Sequence, residues 1–152
     1  MTNTKIEQTK PQRLIKKTFI KTIRNSVGSK IFRNFYLKSD DISFDATKNG
    51  ELSCAFYVSS ILVIFGLIKR VHGTVENTVK DLIESGWIKE KNPTAGCVII
   101  WELLDGHEHI GFYVGRDKAV SNSSEKKKIV IHDWTYNNSR KIIAIYNNPS
   151  LN

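Results

Sequence analysis

The second half of the chain consists of short strand-like segments joined by links too short to contain a helix. Parallel neighbours need a crossover of about a dozen residues, so these links permit only antiparallel hairpins. The pattern therefore predicts an antiparallel meander of about five strands. The candidate strands are residues 97–102, 109–114, 118–122, 129–134 and 141–146.

Helical patterns come before these strands. An apolar run extends from Cys54 to Phe65 and ends at Gly66, and Thr74 is a suitable N-cap for a second apolar stripe that Gly86 closes. Helices followed by strands are typical of the α+β class. We therefore predict N-terminal helices followed by an antiparallel sheet.

Most of the net positive charge lies in the first third of the chain. Residues 1–50 carry eleven Lys or Arg and four Asp or Glu, which is +7 of the net +8. Apolar residues recur at helical spacing from Leu14 to Phe35, and Gly28 is expected to divide this stretch into two helices. We predict a basic amphipathic helical arm over residues 1–45 and a separate domain over residues 46–152.

The arm has two interpretations. Its apolar stripe packs on the rest of the domain and its lysines face water, or it lies on an anionic membrane or cell-wall polymer. No base-stacking motif or recognition helix indicates specific nucleic-acid binding. No apolar stretch approaches the roughly 20 residues of a membrane span, and the polar start lacks the apolar core of a secretory signal. We expect a monomer that is cytoplasmic as encoded or is released by a route without a signal.

Cys54 lies where a reactive cysteine is expected. It follows a polar loop and opens the apolar run, so a helix that begins there aims unpaired N–H groups and a positive dipole end at the sulfur. This arrangement favours thiolate over thiol. Cys97, on a predicted strand, is expected to be a small buried core residue.

A nucleophilic cysteine needs an imidazole to take its proton and return it to the leaving group. His72 and His107 lie in predicted links and are expected at the surface. His109 opens a predicted strand, on which it shares a face with Gly111 and Tyr113. Gly111 leaves room beside His109 for a helix end or a substrate backbone. His109 is therefore the predicted base.

Three residues are candidates for orienting that imidazole. We prefer Asn122, whose side-chain oxygen accepts an N–H without a charge to desolvate, and keep His132 and Ser121 as alternatives. The register between the two strands of the hairpin decides whether Ser121 or Asn122 lies on the same face as His109. The sequence does not fix that register, so the choice between Ser121 and Asn122 stays open.

These residues resemble the NlpC-type cell-wall cysteine peptidases, which are related to the CHAP amidases. The resemblance covers about residues 46–146 and is carried by three segments: Ser53-Cys54-Ala55-Phe56-Tyr57-Val58, Pro93-Thr94-Ala95-Gly96-Cys97-Val98-Ile99-Ile100-Trp101 and His109-Ile110-Gly111-Phe112-Tyr113-Val114-Gly115. It implies a papain-like fold and no metal or organic cofactor. By position, the roles of nucleophile, base and orienting residue fall on Cys54, His109 and the Ser121/Asn122 pair. The family usually has aspartate where this chain has Ser53 and Cys97.

The resulting hypothesis is a peptidase or amidase that cleaves peptidoglycan stem peptides through a thioacyl-enzyme. Ser53, Trp101 and Trp134 are candidate substrate-binding residues, and Tyr136 is a further aromatic that could line a substrate groove, although sheet packing is the ordinary role of such aromatics. The same dyad would serve an acyltransferase or a thioesterase.

Two further alternatives lie outside this enzyme class. A non-catalytic binding domain would use the basic arm and carry an ordinary thiol. A zinc site could be built from the two cysteines and three of the histidines, but no Cys-x-x-Cys or His-Glu-x-x-His spacing is present, so we predict no metal. That candidate set is Cys54, Cys97, His107, His109 and His132.

Overall fold

The computed structural model describes residues 9–152 and has mixed α+β architecture. The helices within this range are α1 (Ile15–Asn25), α2 (Cys54–Ile64) and α3 (Val75–Glu84), with a short 3-10 helix at Pro149–Leu151. The strands are β1 (Tyr36–Ser39), β2 (Ile42–Asp45), β3 (Ile88–Lys89), β4 (Val98–Leu104), β5 (His107–Gly115), β6 (Lys118–Ser123), β7 (Lys128–Asp133) and β8 (Ile142–Asn147). The predicted α+β class is confirmed.

The main sheet is antiparallel and has the strand order β3-β8-β4-β5-β6-β7. Strands β4 to β7 form the expected meander, but β8 returns to pair with β4, so the meander prediction is wrong for the last strand. The link from β7 to β8 crosses the end of the sheet. It is held there because Trp101 Nε1 donates to the Trp134 carbonyl at 2.9 Å and Arg140 donates to the Glu102 carbonyl.

Alternation along β5 divides its side chains between the two faces of the sheet. Ile110, Phe112 and Val114 join the main core under α1 and α2. Tyr113 lies in a smaller cluster on the other face, with Trp101, and His109 faces the same way. The side-chain alternation predicted for this strand is confirmed.

Helix α1 packs into the main core. Phe19 and Ile23 are fully buried, and the Phe19 ring makes edge contacts with Phe112 and Phe65 at centroid distances of 5.6 and 5.3 Å. Lys17 and Lys21 face solvent. Phe19, Ile23 and Phe32 of the predicted stripe therefore pack on the rest of the domain, as the first interpretation proposes. Other members of the stripe do not, since Leu14, Ile15, Val27 and Ile31 are exposed. The arm's residues 1–8 lie outside the described residues.

The second helix predicted after Gly28 is absent from the described chain. Turns and the separate β1–β2 hairpin occupy this stretch. The reason lies in backbone pairing with β7: the Gly28 N–H donates to the Ile129 carbonyl at 2.7 Å, and the Ile129 N–H donates to the Ser29 carbonyl at 3.2 Å. These bonds use backbone groups that a helix would need.

The loop between α2 and α3 is organised around a buried carboxylate. Asp81 accepts hydrogen bonds from the backbone N–H groups of Lys69 and Arg70, both at 3.0 Å, and pairs with His72 Nε2 at 2.7 Å. Burial raises the pKa of Asp81, but the bonds from His72 and from the backbone outweigh it and lower the pKa to about 2. The prediction that His72 lies at the surface is wrong, since its side chain is only 18% exposed.

No helix within residues 9–152 combines the length and the apolar character needed to cross a membrane.

The burial of α1 yields a test of its place in the core. Phe19→Ala should lower the free energy of unfolding by about 3–5 kcal/mol, because it removes a fully buried ring and leaves a cavity. Leu14→Ala, at an exposed position on the same segment, should change it by less than about 0.5 kcal/mol. Urea unfolding measures both, and a Phe19→Ala protein as stable as the Leu14→Ala protein would show that α1 is not part of the cooperative core.

Candidate functional site

The loop before α2 is tied down at both ends. Asp45 accepts hydrogen bonds from the backbone N–H groups of Phe35, Thr47 and Asn49. Further along, Asn122 Nδ2 donates to the Gly50 carbonyl at 2.8 Å. Gly50 has a φ of 95°, a conformation that glycine adopts without strain. These contacts fix the path by which the chain reaches Cys54.

Cys54 is the first residue of α2, where the sequence predicts it. Ser53 precedes it at the N-cap but makes no capping bond with its side chain, and the Ser53 Oγ is buried without a partner in residues 9–152. The first-turn N–H groups therefore remain available to another acceptor.

The thiol meets β5 beside His109. The ladder between β5 and β6 begins at the Gly111–Ser121 pair, so Ile110 and His109 lie beyond it. The backbone N–H groups of Ile110 and Ala55 lower the pKa of the Cys54 thiol. The thiol therefore lies near the residue that follows the predicted base.

Burial raises the pKa of the Cys54 thiol, and the nearby N–H groups and the Arg140 charge lower it by less. The N–H groups at the helix start act in the predicted direction, but desolvation outweighs them, so the net shift of the Cys54 pKa favours the thiol.

His109 is held by Ser121. The His109 Nε2 lies 3.0 Å from the Ser121 Oγ, and the Trp101 ring packs beside the imidazole at a centroid distance of 5.2 Å. A Cβ on Gly111 would lie 2.8 Å from the Ser121 Cβ and 3.0 Å from Trp101 Cζ3. The space that Gly111 leaves is therefore filled by Ser121 and Trp101, and not by a helix end or a substrate.

Ser121 also joins His109 to a second histidine. Its Oγ lies 2.7 Å from His132 Nε2 and 3.2 Å from the Tyr136 hydroxyl, while His132 Nδ1 lies 2.8 Å from the Asp133 carbonyl. A carbonyl only accepts, so Nδ1 of His132 carries the proton and its Nε2 accepts from Ser121. Ser121 then accepts from His109 Nε2–H. This chain leaves Nδ1 of His109 as the basic nitrogen.

Burial, the charge of Arg140 and the neighbouring His132 together lower the pKa of His109 to about 3. Burial also lowers the pKa of His132. The shifts at Cys54 and His109 both favour a neutral thiol and a neutral imidazole over a thiolate–imidazolium pair.

The remaining predicted site residues divide between the site and its scaffold. Asn122, the preferred orienting residue, contacts Gly50 and not His109; the two alternatives, Ser121 and His132, form the chain behind His109. Trp101 is fully buried and packs under the imidazole. Trp134 packs edge-on against the Tyr113 ring, at a centroid distance of 5.6 Å.

One cleft of about 1100 Å³ joins these groups. Cys54, His109, His132, Tyr136 and Arg140 all line it. Its walls are apolar at two places, on the β1–β2 hairpin and on the β4–β5 hairpin. The exposed apolar residues there are Leu37, Phe44, Leu103 and Leu104.

The sequence pattern did not identify Arg140, whereas Tyr136 lines the cleft as the sequence predicts for it. Both lie in the link between β7 and β8, where no periodicity or motif marks Arg140 as a functional residue. Tyr136 stacks on His132 with ring centroids 4.1 Å apart. Only the return of β8 to β4 brings this link over the cleft.

Within residues 9–152, no group of three or more His, Cys, Asp or Glu side chains is placed to hold a metal ion. Cys97 is fully buried in the cluster on the second face of the sheet.

No protein-family model matches this chain, and no significant match to it exists among curated proteins.

The raised pKa of Cys54 predicts its reactivity in the free protein. A raised pKa shifts thiolate formation to higher pH, so the midpoint of Cys54 alkylation by iodoacetamide should lie above the unperturbed value of about 8.5. Mass spectrometry of the Cys54 peptide across a pH series measures it. A midpoint below neutrality would show that the thiolate is already stabilised in the free protein.

Because the Ser121 hydroxyl bonds to both His109 and His132, its removal should lower the stability of the fold. Ser121→Ala leaves the His109 and His132 nitrogens without their shared partner, which should cost about 1–3 kcal/mol of unfolding free energy. Ser124→Ala, at an exposed position in the next turn, is the control and should be neutral. Nitrogen NMR of the imidazoles should also show that His109 loses its fixed Nε2–H tautomer. An unchanged tautomer would show that Ser121 does not determine it.

Proposed function

We propose that this protein is a cysteine-dependent amide hydrolase that acts through a thioacyl-enzyme. The observation that carries the proposal is that Cys54 begins α2 in the same cleft as His109, whose Nδ1 is left basic by the Ser121–His132 chain. We further propose a papain-like fold related to NlpC-type peptidases. The order of a cysteine helix before an antiparallel sheet that carries the histidine supports it.

The mechanism begins from a neutral pair. His109 Nδ1 removes the thiol proton as the Cys54 sulfur attacks the substrate carbonyl, so charge develops only when substrate is bound. Backbone N–H groups at the start of α2 are available to stabilise the oxyanion. His109 then gives the proton to the leaving amine, and afterwards activates the water that hydrolyses the thioester.

Ser121 and His132 support the imidazolium intermediate. The His109 Nε2–H keeps its acceptor when Nδ1 is protonated, because Ser121 Oγ is held as an acceptor by donating to His132. This fixed polarity keeps the ring from turning away from Cys54. In this proposal the pair Ser121 and His132 takes the orienting role.

Peptidoglycan stem peptides are the substrates that the resemblance to NlpC-type enzymes implies. Ser53 bears on this proposal, because the family usually has an aspartate there and the Ser53 side chain is fully buried. A neutral buried hydroxyl supplies no charge to a substrate amine. Any recognition of a charged substrate group must therefore come from elsewhere in the cleft.

A thioesterase or acyltransferase is the second candidate function. The exposed apolar side chains on both hairpins favour it, because an acyl chain would bury Leu37 and Phe44 on one wall and Leu103 and Leu104 on the other. The dyad would be used in the same way. The two functions differ in the acyl donor and in the acceptor of the acyl group.

The test compares four variants in two matched pairs. Cys54→Ala should abolish turnover and His109→Ala should lower it by about 10²–10⁴-fold. Cys97→Ala and His107→Ala remove the other cysteine and a nearby exposed histidine of the same strand, and should keep activity. Peptidoglycan fragments and long-chain acyl thioesters are the two substrates, with products identified by mass spectrometry.

Turnover of either substrate that persists in Cys54→Ala would overturn the mechanism. Turnover of the thioester alone would favour the second candidate. Loss of turnover of both in the control variants as well would trace the effect to folding, which circular dichroism would detect.

A further inference from the structure

Arg140 is fixed beside the dyad by backbone carbonyls. Its Nε and Nη2 donate to the Glu102 carbonyl at 3.1 and 2.9 Å, and its Nη2 also donates to the His107 carbonyl at 3.2 Å. These bonds cross from the β7–β8 link to β4 and β5. The guanidinium is therefore held in one orientation, and no carboxylate of residues 9–152 pairs with it.

Two of its five N–H donors remain. Both belong to Nη1, which donates to no acceptor within residues 9–152, and no Asp or Glu in that range forms a salt bridge with Arg140. The side chain is half-buried, so its charge is only partly hydrated. A half-buried cation without a counter-ion strongly favours a bound anion.

The Arg140 charge reaches the reacting groups. It lowers the pKa of both Cys54 and His109, which a screened surface charge at long range would not do. Arg140 also lines the cleft together with both of them. An anion bound at Nη1 would therefore lie close to the atoms that react.

The rest of the cleft lining limits what that anion can be. Arg140 is the only Lys or Arg in the lining that the structure describes, whereas five acidic residues share that lining. Two of them pair with lysines, Glu51 with Lys127 and Glu76 with Lys80, and the other three would repel a polyanion such as a nucleic acid or a multiply charged phosphate ester. A single carboxylate matches one cation with two free donors. The acidic residues are Glu51, Glu76, Asp105, Glu108 and Glu125.

We propose that Arg140 binds a carboxylate of the substrate next to the bond that Cys54 attacks. The substrate class is then an acyl amino acid or peptide with a free carboxyl group near the scissile amide. This inference rests on the proposed function for its meaning, but its test does not require turnover.

The experiment uses two alkylating reagents that differ in charge. Iodoacetate carries a carboxylate and iodoacetamide does not, so the ratio of their rates at Cys54 isolates recognition of the anion from the reactivity of the thiol. Arg140→Gln should lower this ratio about tenfold relative to the unsubstituted protein, as expected for one charge-assisted hydrogen bond. Arg116→Gln removes the same charge at an exposed turn beyond the other end of β5 and should leave the ratio unchanged.

A second measurement needs no substitution and stays valid if Arg140→Gln fails to fold. N-acetylglycine should protect Cys54 of the unsubstituted protein from iodoacetamide at concentrations where N-acetylglycinamide does not. Equal protection by both compounds, or the same reagent ratio in Arg140→Gln and the unsubstituted protein, would overturn the carboxylate site.

The two proposals can fail separately. If the ratio of alkylation rates depends on Arg140 but no Cys54-dependent turnover is found, the carboxylate site is supported and the hydrolase proposal fails. If Cys54-dependent turnover is found but the ratio does not depend on Arg140, the hydrolase proposal is supported and the carboxylate site fails.

Discussion

The packing of Ser121 against Gly111 is the contact on which the site depends. The two residues are register partners on β5 and β6, and any side chain on Gly111 would collide with Ser121 and Trp101. This close approach puts the hydroxyl within hydrogen-bond distance of His109 and His132 at once. Since the Asp133 carbonyl fixes the tautomer of His132, a backbone group at the sheet edge determines which nitrogen of His109 is basic.

The electrostatics of the site follow from the opposition between burial and the helix start. N–H groups near Cys54 favour the thiolate, but desolvation opposes it more strongly, and the same burial keeps His109 neutral. A neutral pair costs the fold less than a buried ion pair without further partners. In the proposed mechanism, ionisation is therefore delayed until substrate enters, when a developing oxyanion and a bound anion would change the balance of charge in the cleft.

Local patterns in the sequence correctly predicted those structural features that depend on a single segment of the chain. The start of α2 at Cys54 and the face shared by His109, Gly111 and Tyr113 follow from helical and strand periodicity. The choice between Ser121 and Asn122 depends on the β5–β6 register, which a one-residue shift inverts. Long-range backbone pairing also explains two other predictions that were wrong. β7 pairs with residues 28–29, where a second helix was predicted, and β8 returns to β4, where a continued meander was predicted.

That return of β8 connects the fold to the carboxylate site proposed at Arg140. A continued meander would leave the β7–β8 link at the sheet edge, whereas pairing with β4 draws it across the sheet end, so that Arg140 bonds to carbonyls of β4 and β5. Three N–H donors of Arg140 bond to backbone carbonyls and hold the guanidinium rigid. This reduces the entropy lost when an anion binds to its two remaining N–H donors. In the proposed site, Arg140 would therefore recognise a substrate carboxylate with a fixed positive charge, whereas the neutral Ser53 supplies no charge beside Cys54.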